Sequence, residues 1–237
     1  MLIIADDRMP KKAKMRLENM GEVLWLEPQK VVYESIAAHP DIFFCQMNNH
    51  LFASPQIPPR WENKICEFGI QLIKGTSELG SKYPQTAHYN AVFSGNTLIH
   101  NLNISDPKLL QSEIVTAFIH VNQGYTRCNL LAINDKTFIT NDVGVFSTLT
   151  KKGMEVLMID PLPIRLPGQK HGFFGGCCGL WNDELVFCGT IDNLAEARSI
   201  YILMERLNMR VINLYDGPPT DVGSIFFIDN ASQPTLQ

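Results

Sequence analysis

Two adjacent cysteines among glycines, Gly175-Gly176-Cys177-Cys178-Gly179, are the residues of this 237-residue chain best suited to nucleophilic chemistry. A thiolate attacks where a thiol does not. His171, a few residues upstream, could lower the thiol pKa or take its proton. Consecutive strand residues point to opposite faces, so only one of Cys177 and Cys178 could face a site while the other packs outward. The flanking glycines would let a ligand or a second backbone come close. The competing reading is that both thiols are small core residues, since free cysteine is among the most buried residue types.

Three carboxylates could join that chemistry. Asp41, Asp142 and Asp221 would make an acidic site suited to a small cation such as a guanidine or an amine. For Asp142 the structural alternative is an Asx-turn, and for Asp221 a cap or turn after Pro218-Pro219. His39, in His39-Pro40-Asp41, could pair with a carboxylate or simply form a turn. Asn90, Cys128 and Asn129 sit at matching positions of a repeat described below, and Arg127 could bind an anion or pair with one of the acids. A zinc site from His171, Cys177, Cys178 and Cys188 lacks C-x₂₋₄-C spacing, so no metal is expected. Gly172 to Gly179 has neither G-x-G-x-x-G spacing nor a closing Lys-Ser/Thr pair, so no cofactor is expected either.

Bulk properties narrow the partners. The net charge of −4 gives no electrostatic footprint for DNA or RNA. Apolar residues at 45% and charged residues at 19% describe a globular protein with a sizeable core. No apolar run approaches a membrane span, and Met1 to Asp7 has no basic region and reads as a buried strand. Six cysteines without C-x-x-C spacing imply free thiols in a reducing compartment. A cytoplasmic protein without DNA or membrane partners is the expectation.

The elements that would hold these residues repeat. A strand, an amphipathic helix and an apolar strand recur, with echoes at Gly21 to Pro28, Gly153 to Pro161 and Arg210 to Asp216. Helices are predicted over Met9 to Met20, Trp61 to Lys74, from Ser105-Asp106-Pro107 onward, Val145 to Lys152 and Asn193 to Asn208. Asn193 and Glu196 have the spacing of a capping box. Hairpins are predicted at Cys128–Ile133 with Thr137–Thr140 and at Gly176–Trp181 with Leu185–Cys188. Looser ones are Tyr89–Phe93 with Thr97–His100 and Ile42–Cys45 with Leu51–Ala53. Asp41, Asn90, Cys128, Cys177 and Asp221 are then equivalent points, separated by 49, 38, 49 and 44 residues. Residues 1–237 read as one α/β domain of five ββαβ units, its last strand beside its first, its equivalent points converging on a polar central pore.

A ring of five ββαβ units is the pentein fold, or α/β propeller, of deiminases, dimethylarginine hydrolases, amidinotransferases and ribosome anti-association factors. The stretches Gly124 to Asp142, Gly172 to Gly179 and Pro219 to Ser224 resemble a bacterial family of that fold with no assigned chemistry. In pentein enzymes a cysteine thiolate attacks a guanidinium carbon, a histidine moves the proton and carboxylates hold the substrate nitrogens. The resemblance thus implies Cys177 or Cys178 as nucleophile, His171 or His39 as base, and Asp41 and Asp221 as clamps on a guanidine or amidine. The deiminase nucleophile usually lies near the C-terminus in a Gly-rich strand before Cys-x-Thr. Here the last repeat offers Asp221 and Ser224, and Gly-Gly-Cys-Cys stands one repeat earlier. The alternative function is a non-catalytic pentein that binds a small ligand or a macromolecular partner such as the ribosome.

Overall fold

A computed structural model describes residues 1–229. In chain order, β1 (Leu2–Asp6), α1 (Lys11–Glu18) and β2 (Glu22–Leu26) come first. A helical turn α2 (Pro40–Phe43) leads into β3 (Phe44–Met47) and β4 (His50–Ala53), followed by α3 (Pro59–Glu67) and β5 (Gln71–Lys74). The next unit is β6 (Val92–Ser94), β7 (Thr97–His100), α4 (Pro107–Leu110) and β8 (Ala117–His120). It is followed by α5 (Thr126–Asn129), β9 (Leu130–Ala132), β10 (Thr137–Thr140), α6 (Val143–Lys151) and β11 (Glu155–Met158). The last elements are a 3₁₀ turn at Gly175–Cys177, β12 (Cys178–Trp181), β13 (Glu184–Phe187), α7 (Ala197–Arg206), β14 (Arg210–Asn213) and β15 (Phe226–Ile228).

The strands form five three-stranded sheets of one design. In each, an antiparallel pair is followed by a parallel strand reached over a helix, as a parallel neighbour requires. The first sheet is assembled from both ends of the described chain. There β15 pairs antiparallel with β1, Leu2 opposite Ile228, and β1 pairs parallel with β2.

Left-handed residues stop three of the crossover helices: Gly69 (φ 69°) after α3, Gly153 (φ 79°) after α6 and Asn208 (φ 56°) after α7. The first of these corrects the sequence reading, which ran a helix from Trp61 to Lys74. The chain turns at Gly69, and residues 71–74 become β5 beside β4, so Leu72 and Ile73 pack as strand residues. The capping box is also not formed. Asn193 Nδ2 donates to the Gly217 carbonyl, Glu196 Oε1 accepts from the Asp160 amide, and α7 begins after both. Asp142 does cap α6, its Oδ1 accepting from the Val145 amide at 2.8 Å.

Apolar residues fill the spaces between sheets and helices. Trp61 of α3 is fully buried, edge-on to Phe43 with ring centroids 5.3 Å apart, and its Nε1 donates to Glu27 Oε2. Ile200, Leu203 and Met204 form the buried stripe of α7, whereas Tyr201 is exposed with its hydroxyl donating to Asp192.

Candidate functional site

The turns that precede β3, β6, β9, β12 and β15 meet at one place, and side chains from four of them, Asp41, Asn90, Cys128 and Ser224, bond to one another. Asn90 Nδ2 donates to the Asp41 carbonyl at 3.0 Å and lies 3.2 Å from Cys128 Sγ, while Asn90 Oδ1 accepts from the Cys128 amide. Cys128 Sγ donates to Asp41 Oδ2 at 3.1 Å, and the same oxygen accepts from Ser224 Oγ at 2.7 Å. Three of the five equivalent points therefore touch directly. Ser224 holds a left-handed conformation (φ 73°) unusual for a side chain with a Cβ. The centre is a filled polar cluster rather than an open pore, because these side chains bond directly to one another.

Backbone links run from turn to turn through this cluster. The Asp41 amide donates to the Gly223 carbonyl, and the Val222 and Ser224 amides to Gly176. Arg127 reaches the Gly175 and Cys178 carbonyls through Nη1 and Nη2, and its amide donates to Asn90. Gly176 packs so tightly on Asp221 that an added Cβ would lie 2.0 Å from Oδ1. The Gly-Gly pair is a signal of this approach.

Beside the cluster lies a cavity of about 570 Å³, within the range of small-molecule sites. Asp6, Arg8, Tyr33, His39 and Asp221 bring its polar groups. The guanidinium of Arg8 forks onto the Asp6 carboxylate (Nε–Oδ1 3.0 Å, Nη2–Oδ2 2.7 Å) and caps the Glu34 carbonyl. Asp6 is thus matched. Asp221 is not: its oxygens accept from the Phe173 and Gly223 amides, and the nearest cationic candidate is His39, with Nδ1 3.9 Å from Oδ1. His39 Nε2 lies 3.8 Å from Asp6 Oδ2, so the ring stands between two carboxylates. Among the described residues, His39 Nδ1 and Asp41 Oδ1 are buried without a hydrogen-bond partner.

Burial pushes the Asp221 carboxyl up to about 6; the charge of Asp41 adds to this, while His39 and the two amides pull it down. Burial, then the charges of Asp41 and Asp221, push the Cys128 thiol well above its ordinary range. Cys128 is a protonated donor in this arrangement.

The other predicted residues fall elsewhere. Cys177 lies in the 3₁₀ turn and only Cys178 begins a strand, so the alternation argument does not apply to the pair. Both are fully buried, and their thiols donate to the Phe173 and Phe174 carbonyls. Burial raises both, Cys178 to about 12. His171 turns its Nδ1 to the Gly172 carbonyl and its ring edge-on to Phe173, without a hydrogen bond to either cysteine. Asn129 bonds to the Tyr125 carbonyl and to Asn141, and Asp142 is occupied by its cap and by Gln123. Sequence reasoning missed Asp6, Arg8 and Tyr33; the polar run Asp6-Asp7-Arg8 at the end of an apolar strand was the available signal for the first two. In alkylation of the native protein near neutral pH, the exposed Cys66 is expected to react first. Cys177 and Cys178 should stay unmodified until unfolding, as peptide mapping by mass spectrometry would read.

Residues 4–226 match the family of unknown function DUF6873. The chain belongs to that family. No curated protein matches it in sequence. Its fold is similar to that of agmatine deiminase from C. jejuni (TM-score 0.55, 12% identity, 90% of this chain and 86% of that one). It is also similar to that of DDAH from Pseudomonas aeruginosa complexed with citrulline (TM-score 0.50, 10% identity, 90% and 91%). A third similar structure is an amidinotransferase of the saxitoxin pathway from Microseira wollei (TM-score 0.52, 11% identity, 100% and 95%). This DUF6873 member therefore has a pentein-like α/β fold. Among its described residues no helix is long and apolar enough to cross a membrane.

Proposed function

We propose that the five sheets close into a ring and that the cavity beside its axis binds a small guanidine- or amidine-bearing cation. The ring is supported by a cycle of links. Asp41 connects to Asn90, Asn90 to Arg127 and Cys128, Arg127 to Gly175 and Cys178, Gly176 to Val222 and Ser224, and Gly223 back to Asp41.

The observation that carries the ligand class is the Asp221 carboxylate. It is buried on the cavity wall, held by two backbone amides, and paired with no lysine or arginine among the described residues. A planar cation with N–H donors would supply the missing charge and bond to its oxygens. His39 is within reach to move a proton there. The similar structures add weight, since they include an agmatine deiminase and a DDAH complexed with citrulline.

Titration of the protein with agmatine and methylguanidine by calorimetry tests this. Saturable binding is expected, weakened at least about tenfold in Asp221→Asn, the loss appropriate to a charge-assisted bond. Binding unaffected by that substitution, or none to any guanidine or amidine, would sink the reading.

Turnover is a second reading, favoured by one contact: Cys128 is the thiol bonded to a carboxylate at the centre. Its raised pKa weighs against a ready thiolate. Ammonia or amine release from a bound guanidine, abolished by Cys128→Ser while binding persists, would establish it; binding without product would leave the chain a binding protein.

A further inference from the structure

Arg127 and the cavity beneath it form a second polar feature that the cation site does not use. The cluster around Asp41 and Asn90 precedes the inner strands. Farther along the same strands lies a separate cavity of about 210 Å³, the liquid volume of about seven waters. Each of the five sheets contributes its inner strand to the wall: Gln46 from β3, Val92 and Phe93 from β6, Leu131 from β9, Leu180 from β12 and Phe226 from β15. Gln46, Asn48 and Arg127 bring the polar side chains, and the other lining side chains are apolar.

The half-buried guanidinium of Arg127 stands at this cavity, over the ring of Phe226 at 5.9 Å. Its bonds to the Gly175 and Cys178 carbonyls fix the plane of the group and use two of its five N–H donors. No carboxylate pairs with it among the described residues. The neighbouring thiols do not supply a negative charge. Although Arg127 pulls Cys45 and Cys178 down, burial holds both at about 12. A positioned cation with free donors and no counter-charge, beside the apolar side chains of Val92, Phe93, Leu131 and Leu180, is a recognition element for an anion with a short apolar tail.

We infer that this cavity binds a short aliphatic carboxylate, its head on Arg127 and its chain against Val92, Phe93, Leu131 and Leu180. The site is independent of the proposed cation site, since Asp221 and His39 line only the other cavity.

The test is a titration of the full chain with sodium butyrate, against sodium chloride at matched ionic strength. The readout is the Arg127 side-chain Nε–H resonance together with the melting temperature. Butyrate should move the resonance saturably and raise the melting temperature, and chloride should do neither. Arg127→Gln should weaken the butyrate effect at least about tenfold, whereas Asp221→Asn should leave it intact. The wild-type resonance decides the matter even where Arg127→Gln does not fold. An unmoved resonance, an equal response to chloride, or an undiminished response in a folded Arg127→Gln protein overturns the inference. Loss of guanidine binding with butyrate binding retained would count only against the cation reading.

Discussion

Replacing Gly176 by alanine is expected to destabilise the protein by about 3 kcal/mol or more, a fall in melting temperature of roughly 6–12 °C for a domain of this size. An ordinary Gly→Ala change acts the other way, stabilising by about 0.4–1 kcal/mol through the unfolded chain. The reversal comes from one contact. The new Cβ would lie 2.0 Å from Asp221 Oδ1 and 2.5 Å from its carboxyl carbon. The carboxylate cannot yield freely, because the Phe173 and Gly223 amides hold both its oxygens. A double-mutant cycle isolates the cause: in an Asp221→Ala background the penalty of Gly176→Ala should shrink by about 1 kcal/mol or more. Equal penalties in both backgrounds, measured by urea denaturation, would place the strain elsewhere.

Between pH 5 and pH 7, affinity for a guanidine cation should rise about tenfold, because the Asp221 carboxyl loses its proton at about 6 in the free protein. The cation needs the ionised form. Stability of the unliganded protein should move in the opposite direction. The folded-state pKa is raised above the ordinary value of 3.8, so the folded chain binds the extra proton across that interval. Stability therefore falls as pH rises from about 4 to about 6, by up to about 3 kcal/mol, and is level above. Subtracting the stability profile of Asp221→Asn isolates this group from the other carboxyls. A wild-type profile parallel to that of the variant would show that Asp221 titrates at an ordinary pH.

The repeat aligned Asp41, Asn90 and Cys128 because each sits in a turn just before an inner strand, and the fold brings those turns together. Spacing alone carried that much. It could not carry side-chain direction: a 3₁₀ turn at Gly175–Cys177 breaks strand alternation, and both neighbouring thiols turn toward backbone carbonyls. Asp6 and Arg8 were hidden for another reason. Asp6 ends the middle strand of its sheet and Arg8 follows it, outside the series of equivalent turns, and tertiary packing, including the pairing of β1 with β15, brings Asp6 toward His39 and Asp221. Gly69 was legible as a helix stop, but the apolar residues beyond it fit a helical stripe as well as a strand.

The sheet shared by residues 2–6 and 226–228 also sets a schedule for synthesis. The other four sheets each draw on a local stretch of chain and can form as the ribosome releases them. The first cannot. Its β1 must wait, with Leu2, Ile3 and Ile4 unburied on one edge, until β15 has been made more than two hundred residues later. Such a distant pairing makes the final step of folding slow and leaves a sticky edge in the nascent chain. Joining the two ends of the described chain by a short linker and opening it at the exposed Ser81-Lys82 loop, between β5 and β6, would make that sheet local and leave the other four local as well. The permuted gene should give a protein of the same architecture that refolds faster than the natural order.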